Sequence, residues 1–480
     1  MRILEGTEPV PVFRFFEEIC RIPHGSGNEA MLSDYLKEFA MQRGLHCIQD
    51  EWKNIIIVKE AAPGCEEEET MILQGHMDMV AVKEPDCDID LTKDPLRLQV
   101  NGDLISAEGT SLGGDDGIAV ACILALLDAK DIPHPSLEAV ITTGEEVGMD
   151  GAVGIDLSML KGRRMLNLDN EEEGVLLTGC AGGMRADCKL PVTWEKRSGS
   201  VLEVCVTGLQ GGHSGAEIIK EGGNANCLMG RVLDALAEKT DASLISLEGG
   251  LADNAIPRQT DARIIISGEA RMKGLAIIEE MEAAFRQELA VKDPDVKIVV
   301  KEEGEQTADS LRKESMGRAV SYLMAMPNGI QAMSADVEGL VETSLNLGVM
   351  RLSREHLQLT YAVRSSLESG KKAVRRKLQA VSGLAGAKME IRGEYPGWAY
   401  RQDSPLRDKM IRVYERMYGE KPRVEAIHAG LECGLFSAKL PELDCVSYGP
   451  DMKGIHTTEE VLSISSVKRV WEYLLEVLKP

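Results

Sequence analysis

Aromatic residues are scarce. Phe, Tyr and Trp together make up 4% of the 480 residues, so any core must be built from Leu, Ile, Val, Ala and Met. Long hydrophobic runs are also missing. No stretch reaches the ~18 apolar residues that a membrane-crossing helix needs, so none is expected. The opening "MRILEGTEPVPVFRFFEEICRIP" has no basic segment followed by a clean apolar one. No signal peptide is read there, and a cytoplasmic location is expected. The eleven cysteines are scattered and form no CxxC pair, which fits mostly buried, reduced thiols and argues against a thiolate metal site. Basic residues are outnumbered, 54 Lys and Arg against 78 Asp and Glu, for a net charge of −24. Nucleic acid and anionic membrane are therefore poor partners, because binding either needs clustered cations. Most of the acidic excess reads as solvated surface.

What is present is an ordinary globular composition, 44% hydrophobic and 28% charged, in a chain long enough for two or three domains. Apolar spacing of three and four predicts helices over 8–22 and 27–43. "LHCIQD" and "NIIIVKE" read as a hairpin-like pair of strands and "TMILQGH" as the next strand. A helix is predicted over about 116–129. "LEAVITTGEE" and "RRMLNLDNEEE" repeat one pattern, an apolar strand running into acids. Strands that end in chemistry-bearing residues, with helices between them, suggest an α/β sheet whose site lies at the carboxyl ends of the strands. After about residue 186 the texture changes to alternating strands with occasional helices, predicted over 223–240, 272–292 and 308–326. "TSLNLGVMRLS" and "HLQLTYAVRSS" read as adjacent antiparallel strands. From about 395 the first texture returns. The expectation is a discontinuous domain, 1–186 with 395–480, interrupted by an α+β domain over 187–394.

Five segments carry the chemistry. "QGHMDMV" puts His76 and Asp78 two apart at a strand end, on one side of it. "GTSLGGDDGIA" puts Asp115 and Asp116 after paired glycines, where helix capping is the bland reading. "TTGEEVG" offers Glu145 and Glu146, "LNLDNEEEG" offers Asp169, and "YGPDMKGIHTTEE" offers His456. Each alone reads as a solvated loop or turn. Together, two histidines and several carboxylates at strand ends make a plausible two-metal site suited to zinc, cobalt or manganese.

These segments, with "GLQGGHSGAEI", "GGLADNAIPR", "TYAVRSS" and "HAGLECGLF", resemble the M20 family of metallopeptidases, and within it the aminoacyl-histidine (Xaa-His, PepD-like) dipeptidase branch. The resemblance runs from about residue 5 to 475. It implies an α/β, di-metal aminopeptidase-like catalytic domain carrying an inserted α+β lid. It implies two divalent ions, zinc foremost with cobalt or manganese as alternatives. His76 and Asp169 would hold one ion, Glu146 and His456 the other, and Asp115 would bridge them. Asp78 would hydrogen-bond the ring of His76 and orient it. Glu145 would be the general base acting on a metal-activated water. The Asp115–Asp116 peptide is expected to be cis. In the insert, His213 would donate to the oxyanion, and Asn254 and Arg364 would hold a substrate carboxylate. His428 and Glu432 would lie near the substrate pocket.

The implied activity is cytosolic hydrolysis of unblocked dipeptides, β-Ala-His among them, so the partner is a small peptide. The insert, about 200 residues long, is roughly twice that of short-lid relatives. It could complete the active site within one chain, and a homodimer remains compatible with that. Two other functions fit the same segments. One is an amidohydrolase that removes an acyl group from an amino acid. The other is a non-catalytic peptide-binding protein, which would be expected to have lost the base or a ligand. Glu145 and all five expected ligands are present.

Overall fold

The computed structural model describes residues 2–480. The chain divides into two compact units. The first runs to Gly179 and resumes over Tyr400–Ala426 and Leu431–Pro480. The second comprises Cys180–Ala399 and Ile427–Gly430.

The first unit is built on an eight-stranded sheet. Its strands are β1 (His46–Gln49), β2 (Ile55–Lys59), β3 (Met71–His76), β4 (Leu137–Thr142), β5 (Arg164–Asn167), β6 (Val175–Cys180), β7 (Arg423–Ile427) and β8 (Asp444–Ser447). The spatial order is β1-β2-β4-β3-β5-β8-β6-β7. The hairpin-like pair is found: β1 and β2 run antiparallel. At the centre, β4, β3, β5 and β8 are mutually parallel. Parallel strands are covered on both faces, which is why β3 and β4 are apolar without alternation and buried at every position.

Helix α1 (Val10–Ile19) starts just after Pro9 and buries Phe13, Phe15 and Phe16, half of the chain's six phenylalanines. Helix α2 (Ala30–Gln42) brings Phe39 edge-on to Phe15, with ring centroids 5.4 Å apart. Helix α3 (Gly114–Asp128) is apolar all round and is buried without a break from Asp116 to Leu127. These helices share one core with the sheet.

The second unit holds a nine-stranded antiparallel sheet with its own core. Its longest ladder pairs Trp194–Thr207 with Lys297–Leu311. The strands Val341–Leu352 and His356–Ser365 are antiparallel neighbours. The helices Ala225–Lys239, Arg271–Glu288, Lys313–Ala325 and Glu368–Ala385 place their apolar stripes in this core.

Three boundaries differ from the sequence reading. The helix expected over 308–326 begins only at Lys313, because Leu311 still pairs with Trp194 in the long ladder. The transition expected at 186 lies inside the strand Gly182–Pro191, which pairs with His356–Ser365 along its whole length. Residues 180–186 therefore belong to the second unit. The return expected at 395 comes later as well: Cys180 and Trp398 exchange main-chain hydrogen bonds of 2.9 and 3.0 Å, which keeps residues up to 399 with that sheet.

Because β3, β4, β5 and β8 are parallel, their carboxyl ends lie along one rim of the sheet. Gly75 in β3 lets the start of α3 come close to this rim. A Cβ at residue 75 would lie 2.6 Å from Asp116 Oδ2 and 3.0 Å from Ala119 Cβ. Gly75→Ala is expected to cost ~1–3 kcal/mol of stability through overpacking. Urea unfolding should show this as a lower midpoint at an unchanged slope.

Candidate functional site

The rim gathers acids and imidazoles. His76 is the last residue of β3, and Asp78 follows in the adjoining loop. Glu145 and Glu146 follow β4, Asp169 follows β5, and His456 lies in the loop after β8. Asp115 and Asp116 open α3, and the peptide between them is cis. Asp115 stands between the two histidines: Oδ1 is 3.2 Å from His76 Nε2 and Oδ2 is 3.1 Å from His456 Nε2. Glu146 Oε1 is 2.8 Å from the same His456 nitrogen. Three sets of potential ligand atoms lie within 4.8 Å of one another: His76 with Asp116 and Asp169, His76 with Glu145 and Glu146, and Asp115 with Glu146 and His456. His456 reaches inward from a left-handed backbone conformation, φ 63°, in a tight turn after Gly454.

Asp78 meets His76 and has further partners. His76 Nδ1 is 3.0 Å from the Asp78 main-chain carbonyl and 3.5 Å from its carboxylate. Against the effect of burial, the imidazole helps to hold the Asp78 carboxyl below its ordinary range. The carboxylate also accepts hydrogen bonds from the main-chain N–H of Glu145 (3.0 Å) and of Glu146 (3.3 Å), and from Ser26 Oγ (2.8 Å). One residue thus faces His76 and pins the two-glutamate turn.

The second unit has a polar cluster of its own. His213 sits opposite Ala255 on a short ribbon, and the Ser214 N–H donates to Asn254 O at 2.8 Å. Arg364 Nη2 lies 3.3 Å from His213 Nε2, and Arg364 Nε is buried without a hydrogen-bond partner among the described residues. Ser344 faces Arg364 across the ladder, and its hydroxyl lies 2.7 Å from His428 Nε2. Asn346 brackets Asn254 by donating to the carbonyls of Asp253 and Ala255 at 3.0 and 2.8 Å. The cluster therefore joins His213, Asn254, Arg364 and His428. Glu432 lies in the first unit instead. It is fully buried beneath the rim and accepts from Gln74 Nε2 (2.5 Å) and Thr142 Oγ1 (2.6 Å). It is part of the framework under β3 and β4 rather than an open carboxylate.

The family model described as Peptidase family M20/M25/M40 matches residues 72–479. The cytosol non-specific dipeptidase of Escherichia coli (strain K12) is 37% identical over 481 residues, covering 100% of this chain and 99% of the relative. This chain belongs to peptidase family M20/M25/M40. The crystal structure of aminoacylhistidine dipeptidase from Vibrio alginolyticus is similar to this peptidase with a TM-score of 0.95 and 37% identity, over 99% of this chain and 97% of that one. Aminopeptidase PepT from Bacillus cereus shares the fold, with a TM-score of 0.58 and 15% identity over 98% and 97% of the two chains.

Electrostatics set what the peptidase's rim can hold. Burial works against a charge on Asp115, yet the rings of His456 and His76 hold its carboxyl below the ordinary range. Asp115, then Glu146, raise His456 to about 10. Burial raises Asp169 to about 7, with Asp115 adding to the rise and His76 opposing it. Burial also pushes Glu145 and Asp116 well above the carboxylate range. Asp116 Oδ1 is buried with no hydrogen-bond partner among the described residues. With only protein groups to balance it, this negative charge draws protons onto imidazoles and carboxyls. A cluster of carboxylate oxygens and imidazole nitrogens with that appetite for positive charge fits divalent cations of the zinc, cobalt or manganese type. In the second unit the sign is reversed. Burial, then Arg364, lowers His213, and the same two causes lower His428 to about 3. Two neutral rings beside one fixed guanidinium make a place for an anion.

Several residues at the site went unread in the sequence. Asp116 has no role in the resemblance beyond its cis peptide with Asp115, and α3 has no side-chain cap; the Asp116 Oδ2 accepts from the His76 N–H at 3.2 Å. Ser26, Gln74 and Thr142 carry no motif and act only through partners distant in the chain. Glu460 looked like one more surface acid. The paired glycines of "GTSLGG" were the available signal, since glycine amides bare of side chains invite an anion.

Burial raises Glu432 to about 7. A carboxyl raised on folding contributes stability below its unfolded value and loses it as pH rises through the folded one. Glu432→Gln can keep both accepted hydrogen bonds and carries no charge. In chelator-treated protein the variant should match the parent near pH 4.5 and exceed it at pH 8 by roughly 2–3 kcal/mol. Urea unfolding across that range gives the comparison.

Proposed function

We propose that this chain is a cytosolic two-metal dipeptidase that hydrolyses unblocked dipeptides, including Xaa-His substrates such as β-Ala-His. The observation that carries the reading is Asp115, which offers one carboxylate oxygen to each of two imidazoles beside the Glu145–Glu146 turn. The names of the Escherichia coli and Vibrio alginolyticus relatives, at 37% identity over almost the whole chain, support the substrate class and the cytosolic setting.

In this reading His76 and Asp169 would hold one ion, Glu146 and His456 would hold the other, and Asp115 would serve both. Zinc is the first choice, with cobalt and manganese also suited to these donors. When bound, such a pair of ions acidifies water and draws charge from a carbonyl oxygen. The chain's own residues do the rest. Glu145 takes a proton from the attacking water and returns it to the leaving amine nitrogen. Burial raises the proton affinity of its carboxyl, which strengthens the ionised form as a base. Asp78 fixes the turn that divides labour between adjacent glutamates, one as base and one as ligand.

The second unit contributes recognition. Arg364 and Asn254 take the substrate's terminal carboxylate, the guanidinium through two parallel hydrogen bonds. His213 Nδ1 lies 3.3 Å from the Ala216 N–H and its Nε2 lies 3.3 Å from Arg364 Nη2. In this reading His213 turns an N–H to a developing oxyanion once substrate engages Arg364, a role typically worth ~3–4 kcal/mol.

The first test is a panel of free dipeptides, including β-Ala-His and Gly-His, run beside N-acyl amino acids on protein reloaded with zinc, manganese or cobalt. Free dipeptides should be cleaved, and Glu145→Ala should lower kcat about 100- to 10,000-fold. Turnover of the acylated compounds alone would replace this reading with a deacylase.

A second test isolates the carboxylate. Arg364→Ala should raise KM for free dipeptides about 10- to 100-fold, the scale of one charged hydrogen-bonded pair. Dipeptides blocked as C-terminal amides should be almost insensitive to the change. Equal losses on both substrates would remove Arg364 from this role.

A further inference from the structure

Glu460 follows His456 by four residues and is 3% exposed. Its carboxylate has no cationic partner among the described residues; all of its hydrogen bonds come from main-chain amides. Oε2 accepts from the N–H of Leu112 (2.8 Å) and Gly113 (3.1 Å), and Oε1 from Gly114 (2.8 Å) and Asp115 (3.4 Å). Four successive amides can converge on one carboxylate because Gly113 takes a left-handed conformation, φ 69°, and turns its N–H to the same side as its neighbours. The arrangement leaves no room for side chains: a Cβ on Gly114 would lie 3.2 Å from Glu460 Oε1, and one on Gly113 would lie 2.7 Å from Met79 Sδ.

The two ends of this contact are chemically loaded. The amides belong to the loop that delivers Asp115. Glu460 belongs to the segment that delivers His456, which meets Asp115 at 3.1 Å. We infer that Glu460 is a positioning residue that latches the His456 segment to the Asp115 loop and so sets the affinity of the cation site formed by Asp115, Glu146 and His456. It touches neither substrate nor ion. It acts by holding a ligand from the end of the chain in register with a ligand from residue 115. This inference rests on the two-metal reading above and adds to it a residue outside the ligand set.

A general stiffening role would give a different pattern, and the same segment supplies the control. Asp103 also tethers it, accepting from Ser463 Oγ (2.7 Å), the Ser465 N–H (2.9 Å) and Ser465 Oγ (2.8 Å), but touches nothing in the 112–115 loop. Glu460→Gln places an amide NH2 against two N–H donors. Glu460→Asp keeps the charge but is too short to reach both pairs. Asp103→Ala loosens the segment without touching the latch.

The experiment is manganese titration of the full-length chain by calorimetry, with electron paramagnetic resonance of the loaded protein. The unaltered chain should bind two Mn2+ and give the spectrum of an exchange-coupled pair. Glu460→Gln and Glu460→Asp should keep one tight ion, weaken the second about 10- to 100-fold, the usual scale for a partner that orients a ligand, and show an isolated Mn2+ signal. Asp103→Ala should lower thermal stability and keep the coupled pair. Coupled pairs of unchanged affinity in both Glu460 variants would overturn the inference, as would equal loss of the second ion in Asp103→Ala. Should Glu460→Gln fail to fold, Glu460→Asp decides by the same criteria. Fewer than two ions in the unaltered chain would overturn the two-metal reading itself. Two ions without dipeptide cleavage would overturn the proposed activity and leave the latch standing.

Discussion

A single carboxylate held between two imidazoles organises the rim of the first unit. Asp115 can face both His76 and His456 only because the chain reverses sharply at residues 113–116, and because glycine at 75 lets that reversal press against β3. Around it the fold gathers further acids in a place largely withdrawn from water. Such crowding is costly unless positive charge or hydrogen-bond donors answer it. The structure answers with amides wherever it can: Asp78 takes those of the Glu145–Glu146 turn, Asp116 takes that of His76, and Glu460 takes those of the glycine loop. What amides leave unbalanced is the part that calls for cations.

The two units divide the electrostatics between them. The first concentrates carboxylates and raises the proton affinity of its imidazoles. The second keeps its imidazoles neutral by setting them in low-dielectric surroundings beside Arg364. The same side chain, histidine, is thereby used in opposite ways within one sequence. At the rim its nitrogens face carboxylates, which raise its proton affinity. In the second unit the ring of His213 is kept uncharged next to a permanent cation.

The sequence was most readable where a residue's partners lie close in the chain or where a motif compresses them. The parallel strands showed as unbroken apolar runs, and the acids that follow β3, β4 and β5 stood out because each run ended in them. The antiparallel pair around residue 355 was legible from alternation. Reading failed where the deciding partner was remote. Residues 308–311 look helical beside the helix that follows, yet they complete a ladder with a strand more than 100 positions earlier. The hydrogen bonds that Glu432 accepts from Gln74 and Thr142 come from strands remote in the sequence, so its burial could not be read from its own segment. Asp78 is legible as a neighbour of His76, but the use of its carboxylate by the β4 loop cannot be seen from β3 alone.

The position of β8 bears on how the chain can be made. This strand lies inside the sheet, parallel to β5 on one side and antiparallel to β6 on the other, yet it is the last of the eight to be synthesised. As the ribosome delivers the chain, β5 and β6 emerge with a strand-wide gap between them, and the entire second unit follows before the gap can close. The second unit, almost contiguous in sequence, can condense on its own during that interval. The first unit meanwhile carries two unpaired strand edges, the feature that makes nascent chains stick to one another. The segment that ends this exposure also brings His456, so the sheet becomes continuous and its rim acquires its last imidazole in the same stretch of translation.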